Sequence, residues 1–566
     1  EADGRETTVG LYTLNDSSFL VNGKSDGAAV IDGGTQVMGG LIGALVKPEP
    51  IKHALVIGLG TGSTTGWLAQ IPEIERVDVV ELEPAILDVA RYCSVVNQHV
   101  LDNPKVNVII GDAREVLLST PNKYDLIFSE PSNPYRAGIA SLFTAELYQA
   151  AAGRLRGGGL FLQWLQGYNV DPGVVRTAYA TLGSVFPYVE GWQVHSQDLL
   201  LVASMAPIPH DLPRIAERMA MEPWASALRD VSGVAGAEGF YTGFLTAPEL
   251  ARAVGRVEDQ LNTDDHPVME FGFVRNLGKT GGFDIERLRS LARLRGEGAP
   301  RVKNGELDPW QVEELRSARD VAWGGGPVFP PTGRAGFDRR VAARRAYTQG
   351  DLSGALAAWQ AQEEPPTAPI DIVMLAESLA EAGDARALEL SGRLEATAPV
   401  TAELVRARWS SQSGDDPAAA RHLASGFERA RVHPWAHRPL VGRALVLAVA
   451  TAQRDPETGR LLHAALGEPF AVRLLDDDRR RARLEIAAAT DFAALCAESF
   501  EVFEPWVPWE EIFLRRRAQC YRQGGHPLAE RAAADLARYV HNAPPGLVPV
   551  SAEPETPPAA VATVSP

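Results

Sequence analysis

His53-Ala-Leu-Val-Ile-Gly58-Leu-Gly60-Thr61-Gly62-Ser63 reads as a buried strand that breaks into three closely spaced glycines. Glycine has no Cβ, so Gly58, Gly60 and Gly62 let the backbone turn tightly and pass close to a bound ligand. The dinucleotide fingerprint GxGxxG needs a glycine at position 63, where this chain has Ser63. The spacing therefore favours the GxGxG loop of adenosylmethionine-type sites over a nicotinamide site. A glycine loop alone is a weak signal, so the sequence around it decides.

Outward from this stretch, short apolar runs at 77–81, 106–112, 124–130 and 158–164 alternate with helical sequence. That alternation predicts a parallel, doubly wound α/β sheet. Residues 191–196 and 198–204 read as an antiparallel pair, and 7–22 as two strands joined at Asn15-Asp16, followed by a turn-rich segment to Gly34. The predicted organisation is a small β region over 1–50 and a Rossmann-like, class I methyltransferase-type domain over 51–285. Beyond residue 285 strand patterning is lost and apolar positions take helical spacing. Gly350-Asp351, Gly383-Asp384 and Gly414-Asp415 recur at separations of 33 and 31 residues, near the ~34-residue period of tetratricopeptide-type helix pairs. An all-α, TPR-like domain over 300–542 is expected, with an irregular helical bundle as the alternative, and it should be separable after Pro300. The Pro- and Ala-rich stretch 543–566 reads as a disordered tail.

The formal net charge of −17 argues against nucleic acid or an anionic membrane surface as partner and suits a cationic substrate. Cys93, Cys496 and Cys520 lie far apart without metal-ligand spacing, so neither a disulfide nor a metal site is expected, and a cytoplasmic setting is the default. The longest apolar candidate, Leu440 to Ala452, is interrupted by Arg443 and falls short of the ~18 residues a membrane helix needs. The chain begins at Glu1 without a methionine, which leaves open an upstream region tethering it to the inner face of a membrane.

Three successive strand ends carry acids or small residues in the order a nucleotide site requires. Glu81, 23 residues after Gly58, stands where a carboxylate accepts hydrogen bonds from both ribose hydroxyls, and strand alternation prefers it to Glu83. Asp112-Ala113 follows the third strand, placed to meet an adenine amino group. The fourth strand delivers Tyr124-Asp125-Leu-Ile-Phe-Ser-Glu130-Pro-Ser-Asn133-Pro134, with Leu142-Phe143-Thr144 downstream. This segment resembles the spermidine synthase family, which carries YD, an apolar run, Asp-x-x-Asp-Pro and a later Leu-Phe. The form written here is similar to the bacterial branch often fused to membrane-spanning segments, which shares Asn262-Thr263-Asp264-Asp265 and the following Pro267 and Glu270.

The resemblance spans roughly residues 5–275 and implies an aminopropyltransferase. Its co-substrate would be decarboxylated S-adenosylmethionine or S-adenosylmethionine itself, without a metal. Glu130 would take the proton of the attacking amine and Asn133 stand at the second acidic position. Gly58, Gly60, Thr61, Gly62, Glu81, Asp112 and Ala113 are the expected co-substrate contacts. Gln163, Trp164, Tyr135, Asp264 and Asp265 are the expected contacts to a small cationic amine, with Tyr168 as a further aromatic wall. Thr61 and Asn133 replace aspartates of the family, so the intact co-substrate is expected to bind at least comparably unless Asp264, Asp265 or Glu270 restores the charge. A methyltransferase or other adenosylmethionine-consuming enzyme, and a non-catalytic nucleotide-binding scaffold, are the alternatives. A protein partner for the helical repeats and a homodimer remain open.

Overall fold

The computed structural model describes residues 2–542 apart from residues 5, 6, 137, 169, 258, 259, 273, 275–281 and 328; the tail expected over 543–566 lies outside them. Packing divides the chain into two compact units, with the boundary between Ile486 and Ala487.

The first unit opens with a four-stranded antiparallel sheet of β1 (Ala2–Asp3), β2 (Thr8–Tyr12), β3 (Ser18–Val21) and β4 (Lys24–Ala28), followed by α1 (Gly33–Val46). The Asn15-Asp16 turn joins β2 to β3 as expected, and the segment read only as turn-rich supplies β4. Then come β5 (His53–Ile57), α2 (Ser63–Ala69), β6 (Arg76–Glu81), α3 (Ile86–Tyr92), β7 (Val106–Ile110), α4 (Ala113–Ser119), β8 (Tyr124–Ser129), α5 (Ala145–Arg154), β9 (Leu155–Gln166) and α6 (Pro172–Val185). The antiparallel pair is β10 (Tyr188–His195) and β11 (Asp198–Ser204). Next are β12 (His210–Asp211), α7 (Leu212–Met219), α8 (Trp224–Ser232), α9 (Gly236–Tyr241), β13 (Phe244–Thr246) and α10 (Pro248–Gly255). The eight-stranded sheet runs β13-β10-β11-β9-β8-β5-β6-β7, parallel from β9 to β7.

The apolar runs are continuous because the sheet is covered on both faces. Ala54 and Val56 enter the cluster beneath α1 and α2, whereas Leu55 and Ile57 enter the one beneath α5 and α6. The first cluster does not stop at the sheet: through Trp192, Leu315, Tyr347 and Ile370 it continues as far as Ile486. Arg319 is buried and donates to Gln193 Oε1 at 2.7 Å, the Ile370 N–H donates to the Gly233 carbonyl at 3.2 Å, and the Asp477 N–H reaches the Leu14 carbonyl at 2.8 Å. The separation expected after Pro300 is therefore not how the protein packs: helices up to Ile486 complete the core that the sheet begins. Strand structure also persists past residue 285, where β14 (Val302–Lys303) pairs with β12.

Beyond β14 the chain is helical among the described residues. Helices 335–348 and 352–360, 369–381 and 386–394, and 399–412 and 416–430 form successive hairpins, and each Gly-Asp pair sits in the turn of one. Gly350, Gly383 and Gly414 adopt φ of 82°, 70° and 78°, the left-handed region in which glycine ends a helix. Asp351 and Asp415 then cap the following helices, accepting from the Gly354 and Ala418 N–H groups at 2.8 and 2.9 Å.

In the second unit, Cys496 and Cys520 form a disulfide with Cα atoms 6.1 Å apart, contrary to the expectation of none. Helices 492–501 and 511–523 pack together and bring buried residues 24 positions apart into reach. The cysteines thus give no support to a reducing compartment. Among the described residues no helix is long and apolar enough to cross a membrane, and no His, Cys, Asp and Glu cluster has the form of a metal site.

Candidate active site

The parallel strands end at one edge, and a cavity of about 610 Å³ opens there. Its floor is the glycine loop, where Gly58, Gly60 and Gly62 have φ of 95°, 51° and 83°. A Cβ on Gly58 would lie 2.7 Å from the Glu130 carbonyl oxygen, so neighbouring strand ends approach as closely as they do only with glycine there. Glu81, Gly111, Asp112, Ala113, Thr61 and Glu130 line the same cavity. Gly111 has open space where its Cβ would stand, leaving room for a flat ring beside Ala113. The opposite wall comes from the N-terminal sheet, the first turn of α1, Trp164, Tyr168 and the start of β11.

Glu81 is buried and accepts from the backbone N–H groups of Leu59 and Glu83, both at 2.9 Å. Burial raises its carboxyl above the ordinary range and the backbone donors pull it back. The neighbouring Glu83 also lines the cavity, and its Oε1 accepts from the Thr7 N–H at 2.8 Å. Asp112 caps α4 by accepting from the Arg114 and Glu115 N–H groups at 2.7 and 3.2 Å, so its carboxylate is oriented before any ligand arrives. Glu130 accepts from Thr64 Oγ1 at 2.6 Å. Burial pushes it up to about 8, with the nearby charges of Asp198 and Asp32 adding to the rise.

Those two aspartates are the residues that sequence reasoning missed. Asp32 sits at the start of α1, where its Oδ2 accepts from the Ala28 N–H at 2.7 Å, and burial moves it up to about 6. Asp198 begins β11, accepts from Thr35 Oγ1 at 2.7 Å and is pushed by burial to about 7. Asp26 also lines the cavity, but its charge is met by Arg136 at 3.0 Å. Among the described residues, Asp32, Asp198 and Glu130 have no such cationic partner. The only signal for Asp198 was its position at the tight turn between two strands.

Several expected contacts lie elsewhere. Gln163 is fully buried under the strand end, donating to the Trp164 carbonyl at 3.0 Å. Asn133 is buried and donates to the Tyr135 hydroxyl at 2.9 Å, and Tyr135 in turn receives Lys24; neither Asn133 nor Tyr135 lines the cavity. Asp264 forms an ion pair with Arg114, with Oδ1 accepting at 2.7 Å, and Asp265 is exposed. Neither they nor Glu270 restores charge to the cavity wall. Trp164 and Tyr168 do line it.

Residues 38–195 match the spermine/spermidine synthase domain family. The polyamine aminopropyltransferase of Clostridium beijerinckii is 29% identical over 147 residues, covering 26% of this chain and 51% of that protein. That of Clostridium perfringens is 31% identical over 147 residues, covering 26% and 52%. The chain thus spans about half the length of the curated relatives it matches. The spermidine synthase structure from Thermotoga maritima is similar at 21% identity and a TM-score of 0.32, covering 36% of this chain and 72% of that one.

Proposed function

Taking residues 38–195 as a spermine/spermidine synthase domain, we propose that the protein is a transferase that passes an aminopropyl group from decarboxylated S-adenosylmethionine to a small polyamine. The observation that carries this reading is a set of three carboxyls, the buried Asp198 and the half-buried Asp32 and Glu130, that line one cavity without cationic partners among the described residues. Desolvation shifts all three toward the protonated form, Glu130 most, and a cation in the cavity favours their ionised form. A di- or polyammonium ion supplies the missing charge, whereas a neutral or anionic acceptor leaves it uncompensated.

The co-substrate supplies a sulfonium centre, already activated toward a nucleophile, so the protein's task is alignment and removal of one proton. The glycine loop, Glu81 and Asp112 hold the nucleoside end. Glu130 meets the attacking nitrogen: with an ammonium in place its carboxyl ionises, and the carboxylate then accepts the proton that the nitrogen sheds. Asp32 and Asp198 hold positive charge at the inner end, which favours the decarboxylated co-substrate despite the neutral Thr61 and Asn133.

The test is to incubate the full chain with either co-substrate form and a panel of diamines and polyamines, following the released nucleoside. Methylthioadenosine released only with an amine and the decarboxylated form supports the proposal. Adenosylhomocysteine as the product makes the protein a methyltransferase, and no turnover with any amine returns it to a binding role.

A further inference from the structure

A second cavity, of about 620 Å³, lies behind the wall that bounds the first. The two share that wall residue by residue. Ile31 and Gly34 line the second cavity while Asp32 and Thr35 line the first, and His195 lines the second while Asp198 lines the first. The volume falls within the ~300–1,000 Å³ typical of small-molecule sites.

The chemistry of the two cavities is opposite. Ile370, Val373, Leu394 and Val400 give the second an aliphatic lining, and Trp323 and Trp435 add aromatic surface. Of its charged groups, Arg229 is paired with Asp230 at 2.7 Å, and His433 lies near that same carboxylate. Arg438 has no ion pair among the described residues. Asp16, which feels the charge of Arg438, is occupied by the N–H groups of Ser17, Val30 and Ile31 at 2.7, 3.0 and 2.9 Å. Burial pushes His195 and His437 down to about 4, so both are neutral near pH 7. One guanidinium without an ion pair among the described residues, in an apolar and aromatic chamber, is complementary to a flat hydrophobic body bearing a single carboxylate.

The wall has no slack. A Cβ on Gly33 would meet Trp435 at 2.7 Å, and one on Gly34 would meet the Val194 carbonyl at 2.6 Å. Trp435 also packs edge-on against Trp67, 6.4 Å between centroids, in the helix that follows the glycine loop. Close-packed contacts transmit displacement rather than absorb it.

We propose that this second cavity binds an aromatic monocarboxylate, held by Arg438 and the tryptophan faces, and that its occupancy alters amine binding on the other side of the α1 wall. The probe is 2-naphthoate, titrated by calorimetry into the full chain, with neutral 2-naphthamide as the charge control. The expected result is naphthoate binding at least tenfold tighter than the amide. Arg438→Gln should abolish that preference and Arg438→Lys retain most of it. Gly442 lines the cavity with only an ordinary 3.9 Å contact to Leu475 at its Cβ position, so Gly442→Phe should fill the space and block both ligands while the protein still melts cooperatively. Binding of 2-naphthoate should survive saturation with adenosylmethionine and shift the amine dissociation constant at least twofold. Equal affinity for naphthoate and amide, binding insensitive to Gly442→Phe, or displacement by adenosylmethionine would each overturn the site. An unchanged amine constant would overturn the coupling.

Discussion

Asp198→Asn removes one of the three uncompensated carboxyls while keeping its shape and an oxygen for Thr35 to donate to. In the folded protein Asp198 titrates at about 7 rather than the ordinary 3.8. At ~1.4 kcal/mol per pH unit, that difference is worth on the order of 4 kcal/mol. Below the ordinary value both folded and unfolded chains carry the proton and there is no effect. As pH rises toward 7 the unfolded chain releases its proton while the folded one keeps it, so stability falls and then levels off once the folded group has also ionised. The variant lacks this loss. Chemical denaturation of wild type and Asp198→Asn at pH 5 and pH 8 should therefore show the variant gaining about 2–3 kcal/mol relative to wild type on the alkaline side, since part of the loss is already complete by pH 5. Saturating spermidine should restore much of that stability to the wild type and less to the variant. Parallel pH profiles would refute the reasoning, because they would mean that this carboxyl is not held protonated by its surroundings.

Glu130→Gln should lower amine-dependent turnover by about 10²–10⁴-fold, the usual worth of a positioned general base, while co-substrate affinity measured by calorimetry changes little. Gly58→Ala combines a φ of 95° with a 2.7 Å clash against the Glu130 backbone and should cost at least about 1–3 kcal/mol, with co-substrate binding lost, read from thermal melts with and without ligand. Truncation after Pro300 should give an insoluble or dye-binding fragment, since it uncovers the apolar surface that Leu315, Val321, Tyr347 and Ile370 bury; a soluble, ligand-binding fragment would contradict the shared core. Cys496→Ser opens a link spanning 24 residues and should destabilise the second unit by roughly 3–4 kcal/mol, visible as faster proteolysis beyond Ala487.

The sheet was legible because the 53–57 strand and its neighbours are covered on both faces, and such strands are written as unbroken apolar runs. The helical turns were legible for a similar local reason: a left-handed glycine followed by a capping aspartate leaves its mark within two residues. The cavity wall was not, because it is assembled from segments far apart in the chain, and the Thr35 to Asp198 bond spans 163 positions. An aspartate at a turn ordinarily faces water, so nothing local distinguished Asp32 or Asp198 from a solvated loop carboxylate. Motif adjacency misled in the opposite direction. Asn262-Thr263-Asp264-Asp265 braces the backbone instead: Asn262 Nδ2 donates to the Ala140 carbonyl at 2.9 Å, its Oδ1 accepts from the Met269 N–H at 3.2 Å, and Asp264 holds Arg114. Thr61 and Asn133 have bracing duties of the same kind, bonding to Gln36 and Tyr135 respectively. Gln36 opens α1 and Tyr135 receives Lys24 of β4, so both neutral positions fasten the N-terminal region over the cavity. The carboxyls that line the cavity without a cationic partner among the described residues stand instead at Asp32 and Asp198, on the region those two positions fasten and on the hairpin behind it. On the proposed reading, a cavity whose unpaired carboxyls sit on α1 and the β10–β11 hairpin ties its attraction for ammonium groups to how closely the N-terminal sheet and α1 seat on the glycine loop.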